Sequence, residues 1–114
     1  MDATGTPVGL TVDTRPTTPG QGVTLALTGY IDLSNVQVLN EAISKALAHA
    51  SDVTVDLAGV TFLDSTGLRE FATGYQQAER AGVGFRVANP TGSVLDVLRI
   101  SGMLDYLTEG VRPT

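Results

Sequence analysis

Ser65 is the side chain of this sequence best placed to take part in chemistry. It stands in Phe62-Leu63-Asp64-Ser65-Thr66-Gly67-Leu68, where an apolar strand-like run gives way to an acid, two hydroxyls and a glycine. Such residues start helices, because a carboxylate or hydroxyl accepts hydrogen bonds from the free N–H groups of the first turn. Either Asp64 or Ser65 suits that capping role. A nucleophilic serine would need more, namely a general base within contact distance. A phosphate acceptor would need less: an exposed hydroxyl at a helix start, where a bound phosphate meets unpaired N–H groups and the favourable end of the helix dipole. Arg69, four residues after Ser65, is spaced to lean back toward such a phosphate, although a solvated surface arginine has the same signature.

Hydrophobic periodicity assigns the strands and helices around these residues. Residues 8–14 and 23–32 alternate as strands, and the Pro- and Gly-rich residues 15–22 between them read as a mobile turn, so a β-hairpin is expected. Val36, Leu39, Ile43, Ala46, Leu47 and Ala50 then recur at three- and four-residue steps, predicting a helix whose start is marked by Ser34 and Gln37 in capping-box spacing. Residues 53–60 read as a buried strand. A second helix is expected to begin between Asp64 and Gly67 and to bury Leu68, Phe71, Ala72, Tyr75 and Ala78, with Gly82 as its C-terminal cap. Residues 85–89 form the next strand, and Val94, Val97 and Leu98 mark a third helix closed by Gly102. Strands alternating with helices imply right-handed crossovers. The expected fold is therefore a small α/β domain, with a mixed, mostly parallel sheet of four to five strands packed against about three helices. Residues 1–114 are expected to form this one domain, with residues 1–7 disordered, a short terminal strand or turn within residues 103–114, and residues 108–114 a loose tail.

In such sheets the strand C-termini and the succeeding helix N-termini share one edge, which is where ligands and partners bind. Three polar loops are expected there: Asp32-Leu33-Ser34, Leu63 to Gly67, and Asn89-Pro90-Thr91-Gly92. The single histidine, His49, falls in the last turn of the first helix and so at the opposite edge. A six-residue strand spans roughly 20 Å, too far for His49 to serve Ser65 as a base. No Gly-x-Ser-x-Gly elbow surrounds Ser65 either. Asp32 and Asp64 alone make a poor cation site, and no Gly-x-x-x-x-Gly-Lys phosphate loop is present. No enzyme activity, metal or cofactor is therefore expected.

Composition narrows the classes further. The 114 residues carry no cysteine and a formal net charge of −5, which excludes disulfide scaffolds and thiolate metal sites and argues against electrostatic binding to nucleic acid or anionic lipid. No apolar run approaches the ~20 residues of a membrane span, and the N-terminus lacks a signal-sequence pattern, so a soluble, cytoplasmic protein is expected.

Residues 53–71, VTVDLAGVTFLDSTGLREF, resemble the signature of the STAS domain family, in particular the bacterial anti-sigma factor antagonists: a strand ending Asp-Leu, a short apolar link, then Asp-Ser-(Ser/Thr)-Gly-Leu at a helix start. Residues 27–32, LTGYID, are similar to the family's Gly-Glu-(Leu/Ile)-Asp segment, and residues 93–104 to its third helix. The resemblance implies a phospho-switched interaction module. Its unmodified form binds an anti-sigma factor that is also a serine kinase, freeing a sigma factor for transcription. Phosphorylation at Ser65, with Thr66 as secondary acceptor, turns it off, and a PP2C-type phosphatase restores it. Together with the loops expected at the same sheet edge, the expected contact surface comprises Asp32, Ser34, Asp64, Ser65, Thr66, Gly67, Arg69, Asn89 and Thr91, on a monomer or weak dimer. The alternative within the same fold is a constitutive scaffold, such as an accessory subunit of a lipid transporter or a stress-signalling complex. Two departures stand out: Tyr30 replaces the family's usual Glu, and the C-terminal helix is shortened or missing after Leu107.

Overall fold

The structure is a computed structural model that describes residues 9–17 and 20–114. The start expected to be disordered, and Thr18 and Pro19 of the expected turn, lie outside the described residues.

Strand β1 (Leu10–Thr17) pairs antiparallel with β2 (Gly22–Ile31), from Leu10 opposite Gly29 to Thr17 opposite Gly22. The hairpin is as expected, but Arg15, Pro16 and Thr17 belong to its first strand rather than its turn. Helix α1 (Val36–His49) leads to β3 (Asp52–Leu63), α2 (Ser65–Ala81) to β4 (Gly84–Ala88), and both crossovers make parallel pairs in a four-stranded sheet of order β1-β2-β3-β4. Helix α3 (Gly92–Ile100) and a short α4 (Leu104–Glu109) complete the chain.

Alternation places Leu25, Leu27 and Ile31 of β2, Val53, Val55 and Leu57 of β3, and Phe85 and Val87 of β4 on one face, all buried. They pack against Leu39 and Ile43 of α1, Phe71 and Ala78 of α2, and Val94, Leu98 and Leu107 beyond. The other face carries Thr24, Thr28, Tyr30, Thr54, Asp56 and Phe62, none of them buried. The strict alternation fails where the β2–β3 register shifts between Ala26 and Thr28 and again between Gly29 and Tyr30. Extra residues at such bulges twist the strand and re-aim the side chains beyond them. Val60 and Leu63 thereby turn inward while Thr61 and Phe62 turn out. Gly29 sits at one of these shifts with φ +113°, and the Gly9 carbonyl occupies the space a Cβ would take. That close approach lets the Tyr30 N–H donate to Gly9 O at 2.8 Å.

Three expectations are corrected. Helix α1 is not opened by a Ser34–Gln37 capping box: its N-cap is Asn35, and the Ser34 hydroxyl donates to Asp32 instead. Strand β3 does not stop at Val60 but continues through Leu63, because β2 continues beside it. Residues 108–114 are not loose. Helix α4 buries Leu107 and stacks Tyr106 on Tyr75 of α2 with ring centroids 4.0 Å apart. Val111 and Phe85 then exchange two backbone hydrogen bonds of 2.9 Å, and the Thr114 N–H donates to Gly82 O at 3.0 Å.

Candidate functional site

The parallel ladder of β2 and β3 ends with Ile31 opposite Leu63, and the Asp64 N–H extends it by donating to Ile31 O at 3.2 Å. This bond brings the Asp32 loop and the start of α2 side by side. Gly67 presses the helix start onto the strands: it is buried, and a Cβ there would collide with the Leu63 side chain and lie 2.6 Å from Ile31 Cγ2. Only glycine allows so close an approach.

Asp64 is the N-cap of α2. Its Oδ1 accepts from the N–H groups of Thr66 at 2.9 Å and Gly67 at 3.2 Å, and from the Thr66 hydroxyl. Partial burial pushes its carboxyl pKa up, but the Thr66 hydroxyl and the N–H groups of Gly67, Thr66 and Leu33 outweigh this and hold it below the ordinary carboxylate value. Asp64 is thus an ionised anchor. Asp32 makes a similar local arrangement, accepting from the Ser34 N–H at 2.9 Å and from the Ser34 hydroxyl, while its own N–H donates to Asn35 Oδ1 at 3.0 Å. Buried Asn35 ties this loop to the strand by donating from Nδ2 to Tyr30 O at 2.9 Å.

Two of the three hydroxyls at this edge, those of Thr66 and Ser34, are therefore held by carboxylates. Ser65 differs. It is the first residue of α2, is exposed, and its hydroxyl has no hydrogen-bond partner among the described residues. Arg69, one turn further along, is exposed and makes no ion pair among the described residues.

The third loop leaves the sheet at an earlier point along β3. Along β3, strand β4 pairs with residues Asp52 to Asp56 alone, so it ends well short of Leu63. Asn89 consequently donates to Asp56 Oδ1 at 3.1 Å, and Thr91 serves as the backbone N-cap of α3 without a side-chain capping bond. Helix α3 covers the edge of β3 that β4 leaves bare, and the Ser93 hydroxyl donates to Thr61 O there at 3.0 Å. Asn89 thus lies beside Asp56 in the middle of β3 and the start of α3 lies against Thr61, while Asp32, Ser34, Asp64, Ser65, Thr66 and Gly67 gather at the end of β3. His49 lies in the last turn of α1, with its Nδ1–H donating to the Lys45 carbonyl at 3.0 Å.

Sequence reasoning missed the apolar part of this edge. Tyr30 and Phe62 face each other across β2 and β3, 40% and 49% exposed, and Leu33 at the loop tip is 75% exposed. The bulges that turn Phe62 outward leave no mark in the run Val60-Thr61-Phe62-Leu63. Leu33 could have been noticed as an apolar residue alone between Asp32 and Ser34.

Among the described residues no group of three or more His, Asp or Glu side chains converges as a metal site, and no helix is long and apolar enough to cross a membrane.

A family model described as "Mlab, STAS domain" matches residues 14–109. The anti-sigma-B factor antagonist of Bacillus subtilis (strain 168) is 25% identical over 81 residues, covering 71% of this chain and 74% of that protein. An anti-sigma factor antagonist from Mycobacterium paratuberculosis superimposes with a TM-score of 0.71 at 24% identity, over 96% of this chain and 90% of the other. The unphosphorylated form of the antagonist SpoIIAA does so with a TM-score of 0.67 at 21% identity, over 82% of each.

Proposed function

This chain belongs to the STAS domain family, and on that basis we propose that it is an anti-sigma factor antagonist switched by phosphorylation at Ser65. The observation that carries the reading is the state of the three hydroxyls. Thr66 and Ser34 are committed to Asp64 and Asp32, while the Ser65 hydroxyl stands exposed on the first turn of α2, without a hydrogen bond among the described residues. The 25% identity to the anti-sigma-B factor antagonist supports the same class of partner.

In this reading Ser65 is a substrate, and the chain catalyses nothing. An anti-sigma factor with serine kinase activity transfers the γ-phosphoryl group of ATP to Ser65 Oγ, releasing ADP and the hydroxyl proton. A PP2C-type phosphatase removes it, and both events belong to the cytoplasm. The unmodified edge docks through Asp32, the Ser65 turn and the apolar side chains Tyr30, Leu33 and Phe62. Phosphate adds ~1.5–2 negative charges beside the ionised Asp64. At a closed interface that charge must lose its water next to like charge, and each ~1.4 kcal/mol of penalty lowers affinity tenfold.

Incubating the protein with ATP and a cognate kinase-type anti-sigma factor, then locating the phosphate by tandem mass spectrometry, tests this. Phosphate is expected on Ser65, retained in Thr66→Val and absent from Ser65→Ala. The exposed trio Tyr30, Leu33 and Phe62 is the feature that favours a constitutive scaffold, since it would hold a partner whatever the state of Ser65. A partner that stays bound while Ser65 is never modified would decide for the scaffold.

A further inference from the structure

Far from Ser65, a cavity of about 310 Å³ opens between the hairpin and the C-terminal half of α1. It is lined by Thr14 of β1, Val23 and Leu25 of β2, Ala42 and Ala46 of α1, and Ala50, the C-cap of α1. Lys45 and His49 line the same cavity. They are the chain's only lysine and its only histidine, in a protein of net charge −5. The Lys45 ammonium makes no ion pair among the described residues. Glu41, the carboxylate one turn before it, accepts instead from Gln37 Nε2 at 3.2 Å. The His49 ring is fixed on the rim by its Nδ1–H bond to the Lys45 carbonyl, and its Nε2 has no partner among the described residues.

We propose that this groove binds a single-chain amphiphile with a carboxylate head, the chain lying on the lining alanines and the head against Lys45 and His49. Three observations converge on that class. The walls are aliphatic and offer no pattern of donors and acceptors that would orient a polar ligand. The volume is about twice the ~150 Å³ cavity that holds one benzene, so it accommodates roughly a dozen carbon atoms, a medium acyl chain rather than a two-chain lipid. The rim gathers an imidazole and a cation with no ion pair among the described residues, in a chain otherwise rich in carboxylates, which complements an anionic head. The site stands independently of the Ser65 reading, at the opposite end of α1.

The test is NMR titration of the ¹⁵N-labelled protein with dodecanoate below its micelle concentration. Saturable shifts are expected at Ala42, Ala46, Ala50 and His49, with no comparable response to acetate, which lacks the chain, or to dodecyltrimethylammonium, which inverts the head. Lys45→Glu, at an exposed helical position, is expected to weaken dodecanoate at least tenfold. Thr14→Phe, at an exposed strand position that tolerates an aromatic, is expected to plug the groove and abolish the shifts. Shifts centred instead on Tyr30, Leu33 and Phe62, an unchanged affinity in Lys45→Glu with the fold intact, or binding seen only with phospholipid vesicles would each overturn the proposal.

Discussion

Asp64 shows how one side chain settles what two neighbours do. By accepting from Thr66 twice and from Gly67 once, it starts α2, immobilises one hydroxyl and leaves the other outside. The sequence left open whether Asp64 or Ser65 caps the helix, because both residue types suit the position. The carboxylate takes it since an N-cap must reach back to the second and third N–H groups, and Ser65 is already inside the first turn. Asp64→Ala is expected to lower stability by ~1–2 kcal/mol, or roughly 4–8 °C in melting temperature per kcal/mol for a domain near this size. Because hydrogen bonds depress the folded-state pKa of Asp64, its contribution is fully present above the ordinary carboxylate value of 3.8 and is lost as pH falls below that, toward the folded pKa. Asp64→Asn keeps an acceptor oxygen but does not titrate. Melting curves collected through that acid range should therefore fall less steeply for Asp64→Asn than for wild type.

Among the elements, helices were the most legible. The three- and four-residue spacing placed α1, and Gly82 at φ +73° ends α2 as a left-handed cap should. Strand lengths were less so. Bulges in β2 and β3 shift the alternation without changing residue types, so the run through Leu63 read as a strand and then a link. Asn89 was expected at the edge that strand C-termini share, and β4, with five residues against twelve in β3, reaches that edge earlier along the sheet. Gly67 probes how tightly the helix start is docked on these strands. Alanine would gain up to ~1 kcal/mol in helix propensity. Its methyl would also be driven against Leu63 and Ile31, both fully packed, and overpacking costs ~1–3 kcal/mol. Gly67→Ala is therefore expected to destabilise, by about 1 kcal/mol net, in chemical denaturation. A stabilised variant would mean that the α2–sheet contact yields more readily than its geometry implies.

For the whole molecule, the proposed switch asks for a change of charge at one edge and no change of fold. Ser65→Glu should lower affinity for the anti-sigma factor by calorimetry, though less than phosphate does, since it supplies one negative charge rather than up to two. Its circular dichroism spectrum should match wild type, and its melting temperature should be equal or slightly higher, because an acid in the first turn suits the helix dipole. Full affinity in a folded Ser65→Glu protein would refute the electrostatic mechanism. At the far side of the sheet, Val111 satisfies the outward-facing N–H and C=O of Phe85 on the edge strand β4, groups that would otherwise be free to pair with other molecules. Loss of that bridge is expected to favour self-association. A chain ending at Glu109 should keep its helices yet scatter light and sediment as aggregates at concentrations where the intact chain does not, because the uncovered strand becomes a template on which copies can stack edge to edge.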